Sequence, residues 1–409
     1  MRSEYSRIPR RPRVLIVADD LTGAMDSAGP FAQRGCETCV IPRALDRLPE
    51  MAREAQVVSL NTESRHLPAA QAASRVAQCV SDYAAQDFDI LFKKIDSTLR
   101  GNVVAETHAA MQAAARPIAV VAPAFPAQGR TVREGRVYVN GVVLADTEFA
   151  RDALSPPPTA ALTEVFRSQA GVAARHWTPD ARLGAGVWIA DADHNADLDA
   201  VIAATRDDLS QVMLVGSAGL GQALAASIET AAVTSQAAAV DGCIVLVIGS
   251  RAAASRSQVA SLLSEPGTVV VNAVNGRVEE WPDLRNTSQI AVVAVLDPQQ
   301  GEGDPAQVAR NLAQAALVLV RRPATQALVA TGGDTAMALL QASGCPAVQL
   351  LGELMPGIPC ALVFIEGRPI RWVSKAGGFG GAGALRDAVR VLRAGSRSQA
   401  PLPVSGGRI

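Results

Sequence analysis

Lysine is scarce in this chain: only three of its 38 basic residues are lysine, namely Lys93, Lys94 and Lys375. Arginine therefore supplies nearly all of the positive charge, including that of the solvated surface. A lysine ammonium is compact and sits on a flexible stem, so it suits ligands that a rigid planar guanidinium fits badly. Either a general bias toward arginine explains the count, or the three lysines serve roles that arginine performs poorly.

Other absences narrow the class of protein. The net charge is −1 at pH 7, which disfavours nucleic acid and anionic membranes as partners. No window approaches the roughly 18 apolar residues of a membrane span. Residues 1–12 are polar and lack the apolar segment of a secretory signal. We therefore expect a disordered tail over 1–12, a cytoplasmic location, and a small molecule as ligand rather than nucleic acid or membrane.

Motifs for several kinds of site are also missing. Cys36 and Cys39 form a single C-x-x-C, and no second ligand pair stands at zinc-site spacing. One interpretation is a redox dithiol. The simpler interpretation is that both cysteines are small buried residues, located where a helix ends at Gly35 and the strand TCVI begins. There is no G-x-x-x-x-G-K-[ST] phosphate loop and no G-x-S-x-G elbow of a covalent hydrolase.

Strand, loop and helix patterns alternate along the whole chain, which is typical of α/β domains with largely parallel sheets. The length of 409 residues favours two domains. A low-complexity stretch predicts a linker, and the C-terminal end is rich in Gly, Pro, Ser and Arg. The predicted parts are a first domain over 13–228, the linker 229–241, a second domain over 242–394 and a disordered tail over 395–409. Asn140-Gly141 between β formers predicts a hairpin.

Polar loops follow four predicted strands of the first half, and in such sheets ligands bind at the carboxyl ends of strands. These loops are Asp19–Gly23, Asn61–Arg65, Asp96–Asn102 and Pro123–Arg130. A strand-end carboxylate could take a proton from a hydroxyl or hold Mg²⁺, although Asp20 could simply cap a helix. His66, next to one of these loops, is a further candidate for substrate contact.

The segment FKKIDSTLRGN is the densest of these regions. In a strand, Lys94 and Asp96 share one face and Lys93 occupies the other. The mixture suits a small anionic, hydroxyl-rich substrate, with Arg100 as a fork for its carboxylate. Surface salt bridges are the alternative interpretation.

Glycine-rich loops follow strands in the second half. They are Gly249-Ser250-Arg251, Thr331–Thr335 and Lys375–Gly380. Glycine lets the backbone approach a polyphosphate, and a helix N-terminus adds partial positive charge. Together these loops favour nucleotide or phosphate binding, although tight turns alone would explain each one.

These motifs together resemble the four-carbon acid sugar kinases, bacterial enzymes that phosphorylate threonate, erythronate or their oxo derivatives with ATP. The resemblance extends from about residue 13 to 394 and rests on VADDLTGAMD, NTESR, KKIDSTLRGN, GSAGLGQALA, TGGDTA, GELMPGIP and SKAGGFG, in that order. It implies two three-layer α/β domains with largely parallel sheets. The first would bind the sugar acid and the second the nucleotide, with the active site in a cleft between them.

The resemblance also implies site residues. The catalytic candidates are Asp20, Asp96 and Lys94, with either aspartate as the base. The substrate-binding candidates are Asp19, Arg65, Ser97, Arg100 and Asn102. The candidates around ATP are Ser250, Ser255, Gly332, Gly333, Asp334, Thr335, Gly377 and Gly378. ATP and Mg²⁺ are the expected cofactors, no protein ligand is assigned to the metal, and a homo-oligomer is compatible with the pattern.

One departure from the family pattern concerns the nucleotide. The family commonly has Gly-Ser-Cys-Ser where this chain has Gly249-Ser250-Arg251-Ala252, which leaves the contacts there open. Two alternative functions are an NAD-linked sugar-acid dehydrogenase and a non-catalytic sugar-phosphate-binding protein. No G-x-G-x-x-G follows the first strand, which disfavours the dehydrogenase, and no output module accompanies the domains.

Overall fold

The computed structural model of the chain describes residues 11–43, 49–84, 88–152, 155–228, 238–250, 252–281, 290–294, 304–355, 358–375 and 377–395. Most of the predicted tails and linker, and Arg251, lie outside these residues. The described residues form two compact units. One contains those within 1–230 together with 346–350, and the other contains those within 231–345 and 351–409. The sequence did not indicate that the chain returns to the first unit at 346–350.

The first unit contains strands β1 (Val14–Ala18), β2 (Thr38–Ile41), β3 (Val57–Asn61), β4 (Ile90–Lys94), β5 (Ile118–Ala122), β6 (Arg130–Arg133), β7 (Arg136–Val139), β8 (Val142–Val143), β9 (Ala174–His176), β10 (Gly186–Ile189) and β11 (Val212–Gly216). Its helices are α1 (Leu21–Gln33), α2 (Glu50–Glu54), α3 (Ala69–Ala84), α4 (Val103–Ala113), α5 (Leu162–Ala170), α6 (Asn195–Thr205) and α7 (Ala218–Ser227).

The main sheet of this unit is parallel, in the order β2-β3-β1-β4-β11-β5-β10-β9. β1, β3, β4, β5 and β11 are buried along their whole length, as expected of strands covered by helices on both faces. Val348–Leu350 add to β2 as an antiparallel edge. The predicted hairpin is confirmed: β7 and β8 pair around Asn140-Gly141, whose φ values of 50° and 81° suit a two-residue turn.

The second unit contains strands β12 (Cys243–Ile248), β13 (Thr268–Asn272), β14 (Ile290–Ala294), β15 (Thr325–Thr331), β16 (Val348–Met355), β17 (Ile358–Ile365) and β18 (Arg368–Lys375). The first three residues of β16 belong to the first unit. Its helices are α8 (Ala253–Leu262), α9 (Pro305–Val320), α10 (Gly333–Ser343) and α11 (Ala384–Ala394).

The sheet of the second unit is parallel only in part. β13, β14, β12, β15 and β18 are parallel neighbours, whereas β17 runs antiparallel to β18. The two-residue connection Glu366-Gly367, with φ of 51° and 76°, makes a tight hairpin, and a parallel pair would need a longer crossover. The α/β fold with largely parallel sheets is confirmed, and this antiparallel pair is the departure that the sequence analysis missed.

The burial of the C-x-x-C pair favours the simpler, structural interpretation. Cys36 and Cys39 are both buried and unbridged, and burial raises the pKa of the Cys36 thiol. A raised pKa leaves less thiolate for redox chemistry. Among the described helices, none is both long and apolar enough to cross a bilayer.

The start of α9 provides a test of local stability. Asp304 caps this helix by accepting hydrogen bonds from the Ala306 and Gln307 amides at 3.2 and 3.3 Å, and Pro305 occupies the first helical position. We expect Asp304→Ala to lower the free energy of unfolding by about 1 kcal/mol, because two helix-start donors lose their acceptor. Asp304→Ser should retain most of that stability in urea denaturation, and equal losses in the two variants would contradict the capping role.

Candidate functional site

The parallel register of three strands places three polar loops side by side in the first unit. Ala18, the last residue of β1, is paired with Asn61 of β3 and with Lys94 of β4. The chain leaves each strand at this level, so Asp19, Arg65 and Asp96 come together at one edge of the sheet.

Arg65 is the centre of this cluster. Its guanidinium donates to both carboxylate oxygens of Asp19, at 2.8 and 2.9 Å, and to Asp20 Oδ2 at 2.8 Å. Its Nη2 also lies 3.9 Å from Asp96 Oδ1. Bidentate pairing of this kind is among the strongest polar contacts in proteins.

The two adjacent aspartates differ in proton affinity. Burial alone would raise the pKa of Asp19, but the Arg65 guanidinium outweighs burial and holds that pKa below its usual value. Burial raises the pKa of Asp20, against the opposing charge of Arg65. Asp20 also caps α1, because its Oδ1 accepts the Gly23 amide at 2.8 Å. The capping alternative weighed from the sequence is therefore correct, and it leaves the second oxygen of Asp20 facing Arg65.

Arg100 forms a second fork, on Asp96. Its Nε and Nη2 atoms lie 3.1 and 2.9 Å from the two oxygens of that carboxylate. Asp96 also accepts from the backbone amide and the hydroxyl of Thr98. Burial would raise the pKa of Asp96, but these donors, Arg100 first among them, hold it well below its usual value. Arg100 therefore pairs with a carboxylate of the protein itself, whereas we expected from the sequence that it would bind a carboxylate of the substrate.

Lys94 differs from both arginines. Only 5% of the residue is exposed, yet among the described residues its ammonium makes no hydrogen bond and no ion pair within 4 Å. A Cβ placed on Gly23 would lie 2.9 Å from Lys94 Nζ and 2.6 Å from Asp20 Oδ1. The ammonium is thus held beside the first turn of α1 and next to Asp20. A buried cation in this position is suited to an anionic ligand.

The other predicted residues of this half have mixed positions. Asn102 donates to the Leu67 and Ser64 carbonyls at 2.9 and 3.4 Å, so its amide holds the neighbouring loop. Ser97 is partly buried in the loop after β4. His66 Nδ1 lies 3.0 Å from the Ser155 hydroxyl.

A buried ion pair behind the cluster was missed from the sequence. Lys93 Nζ lies 2.8 Å from Glu106 Oε2 of α4, and both side chains are almost fully buried. The available signal was the strand alternation itself. It places Lys93 on the face opposite Lys94, where a buried ammonium needs an acidic partner, which Glu106 of α4 provides.

The second unit contains a cavity of about 330 Å³ at the carboxyl ends of β12 and β15. Its lining residues are Gly249, Ser250, Pro305, Val308, Ala309, Gly332, Asp334, Thr335 and Gly377. The N-terminus of α10 opens here, and Gly332 has a φ of 98° that favours glycine. A Cβ on Gly332 would come 3.7 Å from Thr335 Oγ1 and 3.8 Å from Ser250 Cβ, so the missing side chain leaves space between them. A helix start and two hydroxyl residues around such a space suit a phosphate group.

Lys375 supports the glycine loop. Its ammonium donates to the Gly377 and Phe379 carbonyls at 3.1 and 2.9 Å, and burial lowers its pKa to about 8. Ser255 is fully buried and donates to the Gly377 carbonyl at 2.9 Å. Gly333 begins α10, and Gly378 is exposed beside the loop. Of the predicted nucleotide residues, Ser250, Gly332, Asp334, Thr335 and Gly377 line the cavity, while Ser255 supports the loop from behind.

Comparison with known proteins identifies the family. Residues 14–224 match the model of a sugar-binding N-terminal domain, and residues 245–385 match that of a nucleotide-binding C-terminal domain. The D-threonate kinase of Salmonella typhimurium is 31% identical, with 92% of this chain and 97% of that protein covered. The chain belongs to the four-carbon acid sugar kinase family.

Further matches agree with this assignment. The D-threonate kinase of Bordetella bronchiseptica is 34% identical, with 93% of this chain and 98% of that protein covered. A crystal structure of a Haemophilus influenzae protein has a TM-score of 0.73 at 19% identity, covering 92% of this chain and all of that one (100%). At that identity the structure supports the fold alone.

The close approach of Gly101 to Asp19 can be tested against a matched glycine. Gly101 has a φ of 88°, and a Cβ there would lie 2.8 Å from Asp19 Oδ2. Gly171 also has a positive φ, of 62°, but has open space around it. We expect Gly171→Ala to lower the free energy of unfolding by about 1 kcal/mol from backbone strain alone. Gly101→Ala should cost at least about 1 kcal/mol more, because the Asp19–Arg65 pair must shift. Equal losses in urea denaturation would contradict the crowding.

Proposed function

We propose that this chain is an ATP-dependent kinase that phosphorylates the terminal hydroxyl of a four-carbon sugar acid. D-threonate is the first candidate, because it is the substrate named for the two relatives described above. The observation that carries the proposal is the buried ammonium of Lys94, which has no partner among the described residues and lies beside strand-end carboxylates. ATP as the donor also implies a cytoplasmic location.

Lys94 is the residue we assign to the anionic end of the acid. Arg65 and Arg100 already hold protein carboxylates in bidentate pairs. A substrate carboxylate that displaced one of these aspartates would leave a buried charge uncompensated, which costs several kcal/mol. Lys94 and the first turn of α1 offer a positive site without that cost. This assignment differs from the expectation, drawn from the sequence, that Arg100 would hold the substrate carboxylate.

Asp20 is the base that we favour over Asp96. The Asp20 side chain is 28% exposed, against 12% for Asp96. Its pKa is raised, whereas that of Asp96 is lowered. A base works best when its pKa lies nearer to the operating pH. Asp20 is thus the carboxylate that can reach a substrate hydroxyl and take its proton, while Asp96 serves to fix Arg100.

The nucleotide would occupy the glycine-lined cavity of the second unit, with its phosphates at the start of α10. Ser250 and Thr335 would supply hydroxyl contacts. Among the described residues no three His, Cys, Asp or Glu side chains group as a metal site. Mg²⁺ is commonly bound through phosphates and water with one or two carboxylates, and Asp334, which lines the cavity, is the carboxylate that we assign to it. The ion would neutralise charge on the transferred phosphoryl group.

A kinase assay tests the proposal directly. With ATP and Mg²⁺, we expect D-threonate to stimulate ADP release and yield a phosphate monoester visible by ³¹P NMR. L-threonate, the erythronates, the oxo acids and glycerate form the comparison panel. If no acid in the panel stimulated ADP release, the proposed kinase function would be contradicted. Acid-dependent reduction of NAD⁺ would favour the dehydrogenase instead.

Replacement of Asp20 tests its role as the base. We expect Asp20→Asn to fold normally and to lower kcat by at least about 100-fold, the lower range for general-base catalysis. Since the pKa of Asp20 is raised, kcat/KM of the wild type should fall as the pH drops through a value above 3.8. That acid limb should be absent from the residual activity of the variant. The exposed Asp180 provides the control Asp180→Asn, and near-normal turnover in Asp20→Asn would remove Asp20 from the mechanism.

A further inference from the structure

A buried polar network adjoins the Arg65 cluster and links Lys93, Glu106 and Ser64. Lys93 is completely buried, and its ammonium lies 2.8 Å from Glu106 Oε2 and 2.8 Å from the Lys94 carbonyl. Two buried charges in such a pair compensate each other, but their desolvation makes the pair a weak source of stability. Stability alone therefore does not explain why the Lys93–Glu106 pair is buried here.

The second carboxylate oxygen of Glu106 contacts the loop that carries Arg65. Glu106 Oε1 accepts a hydrogen bond from the Ser64 hydroxyl at 2.8 Å. The Ser64 hydroxyl also lies 2.7 Å from Thr62 Oγ1. Helix α4 thereby holds the loop after β3 through one carboxylate, whose other oxygen is paired with Lys93.

The held loop carries Arg65. The backbone amides of Ser64 and Arg65 both donate to the Asp19 carbonyl, at 3.0 and 3.3 Å. Glu63, one residue earlier, has a φ of 50° in the left-handed region, which costs about 1–2 kcal/mol for a residue with a Cβ. The loop therefore adopts a strained turn that needs outside contacts, and Ser64 supplies one directly beside Arg65.

We propose that Glu106, charge-balanced by Lys93, is a positioning residue that acts through Ser64 to hold the Arg65 guanidinium on Asp19 and Asp20. The proposal extends the function proposed above, since the positioned group controls the candidate base. None of the three residues of the network needs to touch the substrate.

The charged groups around Asp20 determine what a loosened Arg65 would do. Asp20 faces Arg65, Asp19 and Lys94. Burial and the Asp19 charge raise its pKa, and the two cations lower it. If the guanidinium of Arg65 withdraws, one of the two opposing cations is lost. The pKa of Asp20 must then rise further, and a base with a higher pKa is protonated at a higher pH.

Two double variants that share Lys93→Met and differ only in the replacement of Glu106 isolate the hydrogen bond. Lys93→Met with Glu106→Leu removes both charges and the acceptor for Ser64, and apolar replacement of a buried ion pair is commonly tolerated. Lys93→Met with Glu106→Gln removes the same charges but keeps an oxygen that can accept from Ser64. Ser64→Ala breaks the link while leaving the ion pair intact, so it is available if a double variant fails to fold. Thr205→Val, which loses a buried hydroxyl bonded only within α6, is the control.

The primary readout is titration of the Asp20 carboxyl by ¹³C NMR, assigned by comparison with Asp20→Asn. We expect the double variant with Glu106→Leu, and Ser64→Ala, to raise its pKa by about one unit, a typical effect of an opposite charge at this range. The double variant with Glu106→Gln, and Thr205→Val, should match the wild type. Identical titrations in the two double variants, or an unchanged value in Ser64→Ala, would overturn the positioning role.

A second readout separates this inference from the proposed function. The acid limb of kcat/KM with D-threonate should move to higher pH in the same variants that shift the Asp20 titration. If the wild type has no kinase activity, the proposed function fails. The NMR titration still tests whether Glu106 positions Arg65 through Ser64. If the titration shifts and the acid limb does not, Asp20 is not the base.

Discussion

The first unit depends on one guanidinium. Parallel strands that end at one level bring Asp19, Asp20 and Asp96 together, and three carboxylates so close would repel one another. Arg65 contacts two of them at 2.8 Å and the third at 3.9 Å. Its charge allows the strand ends to converge. Its rigid fork also fixes the orientation of the carboxylates, because each nitrogen of a guanidinium points in a set direction.

This arrangement determines which charges remain available to a ligand. Arg65 and Arg100 are committed to aspartates, so Lys94 is left beside the start of α1 with a positive charge that the described protein groups do not directly pair. A cluster of six ionisable groups thus presents one cation and one relatively accessible carboxylate, Asp20. Such a pair can bind the anionic end of a small acid and remove a proton from its hydroxyl.

The rare lysines turn out to share burial rather than function. Lys93 balances Glu106, Lys94 faces the candidate substrate site, and Lys375 donates to carbonyls of the glycine loop. At each of these sites the charge lies in a narrow buried space. A compact ammonium on an extended stem fits there more readily than the broad plane of a guanidinium. Burial is thus the feature that the three remaining lysines share.

The sequence was sufficient for the buried parallel strands of the first unit and for the order of the loops that follow them. Apolar runs such as VLIVA bury themselves on both faces wherever helices cover the sheet, so local pattern determines them. Partner choice is different, because it depends on distances across the fold. Arg65 pairs with Asp19 from another loop, and Lys93 pairs with Glu106 on another element. The antiparallel β17 and the return of the chain at 346–350 likewise depend on sheet edges that no local pattern defines.

A structure of the protein with D-threonate bound would show which cation holds the acid, and the proposed site depends on that contact. We expect an acid oxygen within hydrogen-bond distance of Lys94 Nζ and a hydroxyl facing Asp20. Both pairs of arginine and aspartate should stay closed. A substrate carboxylate held by the Arg100 fork, with Asp96 displaced and Lys94 without contact, would contradict it.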